Sequence, residues 1–141
     1  MQIIIAAHGF LAKELLTSVE MICGKQINVH AVEFLSGENT DILQQKYSEY
    51  IKNISNKEIL FLVDLFGGTP YNAASAIAIK NSRVEVLTGV SLPMLLEILM
   101  LNQNEEMTIE DIVKSVNENK NNYVRSARQV LREITNDEEE L

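Results

Sequence analysis

The chain has 141 residues, 46% of them hydrophobic, with twelve Lys and Arg against twenty Asp and Glu and a formal net charge of −8. That length suits one domain able to bury roughly 70% of its unfolded surface, and the acidity argues against a nucleic-acid binder, which must neutralise phosphates with basic side chains. A lone Cys23 excludes an internal disulfide, suits a reducing compartment and reads as a small core residue.

Residues Ile3 to Ala7 form a continuous apolar run, the pattern of a strand covered on both faces, and it stops at His8 and Gly9. "MQIIIAA" lacks the basic region of a secretory leader. Leu11, Leu15, Leu16, Val19 and Ile22 then recur at helical spacing until Gly24 supplies a stop. Val29 to Phe34 reads as a second strand, with His30 inside it as a structural residue. A helix from about Asp41 to Asn53 carries the stripe Leu43, Tyr47, Tyr50, Ile51 and Ile54.

"EILFLVD" reads as the third strand and ends on Asp64. After "LFGGTP" a helix is expected from Pro70 to about Asn81, with Pro at the first helical position, Thr69 as its cap and Ala73, Ala74, Ala76 and Ile77 on its face. "RVEVLTG" is the fourth strand, and "VSLPMLLEILM" opens another helix with Ser91 as cap. That apolar segment covers about half of the roughly 20 residues needed to span a bilayer, and Glu97 interrupts it. The expected location is therefore the cytoplasm, without membrane insertion.

A fifth helix starts near Thr108, where Met107 and Ile112 stand at hydrophobic-staple positions. In the last segment Tyr123, Val124, Ala127, Val130, Leu131 and Ile134 follow a helical period, while "QVLREI" reads equally as a short edge strand. Residues 135–141 form an acidic tail behind a domain spanning 1–134. Alternation of strands and helices predicts an α/β fold: a single doubly wound domain, with helices on both faces of a mainly parallel sheet of four strands and an antiparallel strand at its edge.

Open parallel sheets bind ligands beyond the carboxyl ends of their strands, where strand order reverses. His8 and Asp64 stand at two such ends. If the first two crossovers leave on opposite faces, strands one and three become neighbours and the two side chains meet. A carboxylate accepting Nδ1–H would fix the tautomer that leaves Nε2 as the nucleophile, and would stabilise the ring once it is substituted. In "GGTP", Gly67 and Gly68 let the backbone approach a ligand, and amides of the turn with the Thr69 hydroxyl are donors for a phosphoryl group. No Lys or Arg occurs in these turns, so such a group would be held by dipoles. Walker, dinucleotide and serine-hydrolase motifs are absent, and the two His and one Cys show no metal-ligand spacing, so neither cofactor nor metal is expected.

"AAHGFLAKELLTSVEMI", "LFLVDLFGGTPYNAA" and "VEVLTGVSLPMLLE" together resemble, in order and spacing, the enzyme IIA component of the mannose-type (mannose/fructose/sorbose) sugar phosphotransferase system, over nearly the whole chain. The resemblance implies a cytoplasmic phosphocarrier that takes a phosphoryl group on His8 from phospho-HPr and passes it to a IIB component for sugar uptake. It gives Asp64 the task of orienting the imidazole and puts Thr69 in the place of a serine or threonine beside the phosphoryl group. It further implies a homodimer with an exchanged antiparallel strand, and association with membrane IIC and IID components. Ser91 stands where "GVNLP" has asparagine, and is given no phosphate contact. Related domains also occur as phosphotransfer subunits of dihydroxyacetone kinases, and two alternatives belong to other classes: a receiver-like signalling domain phosphorylated on Asp64, and a non-catalytic regulatory module that uses the fold only to bind a partner.

Overall fold

A computed structural model describes residues 1–54 and 57–140. In chain order these form β1 (Gln2–His8), α1 (Leu11–Cys23), β2 (Val29–Phe34), α2 (Thr40–Lys52), β3 (Ile59–Val63), α3 (Thr69–Lys80), β4 (Val84–Thr88), α4 (Leu92–Asn102), α5 (Ile109–Asn119), a single 3-10 turn (Lys120–Asn122) and α6 (Ala127–Glu140). The four strands make one parallel sheet in the order β2-β1-β3-β4. Strands one and three are thus neighbours, with Ala6 paired to Val63 in register.

Side chains alternate across β1 and β3 with the period of a strand. Ile3, Ile5, Ala7, Leu60 and Leu62 pack with α1, α4 and α5, while Ile4, Ala6, Phe61 and Val63 pack with α2 and α3. The first two crossovers therefore lie on opposite faces. Ile3, Ile4 and Ile5 are fully buried, and each such side chain contributes about 2 kcal/mol by leaving water. This anchors the strand that ends on His8.

The fifth helix begins as its sequence dictates. Thr108 and Asp111 close a capping box, each side chain accepting from the other's backbone N–H at 3.1 Å, and Met107 packs with Ile112 in the core. Ser91 caps α4, accepting from Met94 N at 3.3 Å. Glu97, a charge in an otherwise apolar helix, is satisfied from α5 and beyond: Ser115 Oγ at 3.0 Å, Asn119 Nδ2 at 2.6 Å and the Tyr123 hydroxyl all donate to it.

Several expectations differ from the structure. No antiparallel strand occurs among the described residues: "QVLREI" is part of α6, where Ala127, Val130, Leu131 and Ile134 share one face and Arg, Gln and Glu favour helix. This helix has no buried residue and runs on through 135–140, so the acidic segment is helical up to Glu140, Leu141 lying outside the described residues. Cys23 is exposed, its thiol donating to Val19 O at 3.2 Å, and Ile22 is exposed as well. Both sit on the last turn of α1. Thr69 is the first residue of α3 and Gly68 its N-cap, with no side-chain capping bond.

Candidate functional site

Beyond the carboxyl ends of β1 and β3, His8 Nδ1 lies 2.8 Å from Asp64 Oδ2. The same oxygen accepts the His8 backbone N–H at 3.1 Å. The register explains the meeting: Ala6 opposes Val63, which places His8 and Asp64 just past the last paired rungs of adjacent strands. The two expected site residues are therefore joined directly. The His8 side chain is 49% exposed and that of Asp64 15%. With Nδ1–H donated inward to the carboxylate, the Nε2 lone pair belongs to the outward side of the ring.

Three further features hold the imidazole. Gly9 follows at φ +61, a left-handed conformation that favours glycine, and its N–H donates to Phe34 O at 2.7 Å, turning the chain away from the ring. Phe34 meets the imidazole edge-to-face with centroids 5.5 Å apart. Gly68 closes the third side: a Cβ there would stand 3.2 Å from His8 Cε1. Gly67, at φ +79, makes the preceding turn, and Asn72 Nδ2 donates to its carbonyl at 3.2 Å.

The glycine turn and the start of α3 thus lie against the ring. Asn72 N to Gly68 O, at 2.9 Å, is the first bond of the helix, which leaves the amides of Thr69 and Tyr71 ahead of it as free donors, Pro70 having none. The Gly68 amide, expected to be free, instead makes a long 3.4 Å bond to Leu65 O. The Thr69 hydroxyl has no partner among the described residues. Among the described residues Asp64 Oδ1 is buried without a hydrogen bond, so the carboxylate's bonds there are to His8 alone. Such an arrangement can hold a nucleophilic nitrogen beside backbone donors suited to an oxyanion.

His30 lies elsewhere, its Nε2 3.3 Å from Gln2 Oε1 and its ring 5.1 Å from that of Tyr50, and burial lowers its pKa. That fits its structural reading. Sequence reasoning missed Phe34 and Asn72, whose roles depend on distant partners. Only the i+5 spacing of Asn72 from Gly67 offered a local signal.

The chain is similar to known proteins along most of its length. A family model described as "PTS system fructose IIA component" matches residues 2–117. The fructose-specific EIIA component of Bacillus subtilis (strain 168) is 42% identical over 115 residues, covering 81% of this chain and 77% of that protein. The mannose-specific EIIAB component of Escherichia coli (strain K12) is 40% identical over 112 residues, covering 79% of this chain but 34% of that protein, so the chain spans about a third of that relative. A crystal structure of the phosphotransferase component EIIA from Streptococcus agalactiae superimposes with a TM-score of 0.82 at 32% identity, covering 91% of this chain and 98% of that one.

Proposed function

Since the chain belongs to the mannose-type phosphotransferase IIA family, we propose that it is a phosphocarrier in which His8 Nε2 receives a phosphoryl group from the phosphohistidine of HPr and gives it to a IIB component for sugar uptake. The observation that carries this reading is the 2.8 Å contact of His8 Nδ1 with Asp64 on an otherwise exposed ring. In the forward step the Nε2 lone pair attacks phosphorus, the new N–P bond forms as the donor's N–P bond breaks, and the donor imidazole recovers its lone pair. The reverse chemistry delivers the group to the acceptor. Asp64 keeps Nδ1 protonated and stabilises the positive ring of the substituted imidazole. Thr69 and Tyr71 amides, and the Thr69 hydroxyl, supply donors to the phosphoryl oxygens without a fixed cation, which favours passing the group on.

Three exposed apolar side chains support a protein partner: Phe10 (62% exposed) follows β1, and Leu65 (58%) and Phe66 (73%) follow β3. They adjoin the His8 and Asp64 positions in sequence, and an apolar surface around a reactive group suits docking of HPr and of a IIB component. Phosphorylation on Asp64 is disfavoured, because one of its oxygens is taken by His8 and the other is buried. No helix among the described residues is long and apolar enough to cross a membrane. Contact with membrane IIC and IID components would run through IIB, from the cytoplasm.

Incubation with phosphoenolpyruvate, enzyme I and HPr, followed by mass spectrometry, should place one phosphoryl group on His8. Acid-labile, alkali-stable label supports this; hydroxylamine-labile label on Asp64 sinks it. Gly68→Ala tests the space beside the ring. Its backbone (φ −75, ψ 170) accepts any residue, so the added methyl acts only by crowding His8 Cε1. Labelling should slow by about tenfold, as expected when a reacting group is displaced by a fraction of an ångström; an unaltered rate removes Gly68 from the site.

A homodimer belongs to the same reading. The outer edge of β4 is unpaired among the described residues, and the apolar face of α6 is uncovered. Open edges and apolar stripes are surfaces that a second chain covers. Light scattering should give twice the chain mass at micromolar concentration, and a monomer there rejects this part.

A further inference from the structure

Tyr47 lies on α2, and its side chain is completely buried on the face of the sheet shared by α2 and α3. Its ring packs against Phe61, in the middle of β3, with centroids 4.8 Å apart. The hydroxyl donates to Pro70 O at 3.0 Å. Packing alone would be served by phenylalanine, and a buried hydroxyl is costly unless bonded. The hydroxyl therefore exists for its partner, and the partner is the second residue of α3. Burial, with the Asp64 charge nearby, raises the Tyr47 pKa, so the group stays a protonated donor.

This bond matters because the first turn of α3 has few other ties. Its N-cap is a glycine without a side-chain bond, Pro70 has no N–H, and the Gly68 amide reaches Leu65 O only at 3.4 Å. The Asn72 tie to Gly67 O is exposed, whereas the Tyr47 bond is buried and out of competition with water. On the other side, the same turn approaches His8 so closely that a Cβ on Gly68 would crowd the ring.

We propose that Tyr47 is a positioning residue for phosphoryl transfer, its buried hydroxyl holding the first turn of α3, and with it the Thr69 and Tyr71 donors, in place against the His8–Asp64 pair. The inference rests on the carrier reading and extends it to a side chain on another helix, one that never touches the phosphoryl group. Movement of a donor cradle by about 1 Å costs on the order of 100-fold; loosening one tie of several should cost less.

The test is Tyr47→Phe, with labelling by phospho-HPr followed at increasing donor concentration. The maximal rate should fall about tenfold while the half-saturating concentration changes less than about twofold, because docking is untouched and positioning is not. Replacing Tyr47 with 4-aminophenylalanine, which restores a donor to Pro70 O, should recover most of the rate. A Tyr47→Phe protein as fast as the unaltered chain overturns the proposal, as does a rescue variant no faster than Tyr47→Phe. If Tyr47→Phe does not fold, the hydroxyl serves the fold and the proposal is likewise overturned. Failure of the unaltered chain to take label is a separate result: it removes the carrier reading, and this inference with it.

Discussion

Replacing His8 with alanine should abolish phosphoryl acceptance from phospho-HPr while leaving the fold in place. The loss is total because no other group at the site can stand in. In the variant Asp64 still accepts the backbone N–H of residue 8 on one oxygen and keeps the other buried, His30 lies elsewhere at the edge strand, and Thr69 has no base beside it. The fold survives because the His8 side chain is half exposed and buries little apolar area. Removing it does leave Asp64 with only the backbone N–H of residue 8, a deficit of about 1 kcal/mol. Mass spectrometry of the variant after incubation with the donor system reads the first claim, and thermal unfolding reads the second. Full labelling of the variant would end the assignment of His8.

Asp64→Asn should slow transfer by about 100-fold or more, by analogy with the loss of the orienting carboxylate in other imidazole-based sites. An amide can still accept the Nδ1–H of His8, so orientation is partly kept. The negative charge that steadies a substituted, positive ring is gone, and an amide turned the other way would favour the wrong tautomer. Stability should change little. Asp64 Oδ1 is already buried without a donor, so the neutral amide is spared part of the carboxylate's desolvation cost while placing its own NH2 in that unpartnered position, and the two effects oppose each other. Single-turnover labelling beside a thermal melt separates the two effects; an unchanged rate would leave Asp64 only a structural part.

Local patterns made much of this legible. The apolar run of β1, the stripe of α2 and the box at Thr108 are short-range signals, and each element formed where its signal stood. Residue type suggests a buried Cys23 and periodicity a buried Ile22, but neither signal tells how far along the helix burial extends, and both residues are exposed. Residue type marks Thr69 as a cap, whereas the glycine before it already has the extended backbone of that position (φ −75, ψ 170). "QVLREI" is ambiguous in sequence because six residues satisfy both periods, and α6 has no buried residue that decides between them.

By itself the sequence determined the alternation of strands and helices, the placing of His8 and Asp64 at strand ends, and a glycine turn ahead of α3. These rest on interactions between residues a few positions apart, which a linear reading captures. Only the tertiary structure decided that β1 and β3 are neighbours in a register that brings Asp64 to 2.8 Å from His8, that Phe34 flanks the ring, and that Tyr47 reaches Pro70 from another helix. Hydrogen bonds and ring contacts of this kind act over a few ångströms in space. Strand order and crossover hand set which distant residues come that close, and both are fixed only when the two faces of the sheet are packed.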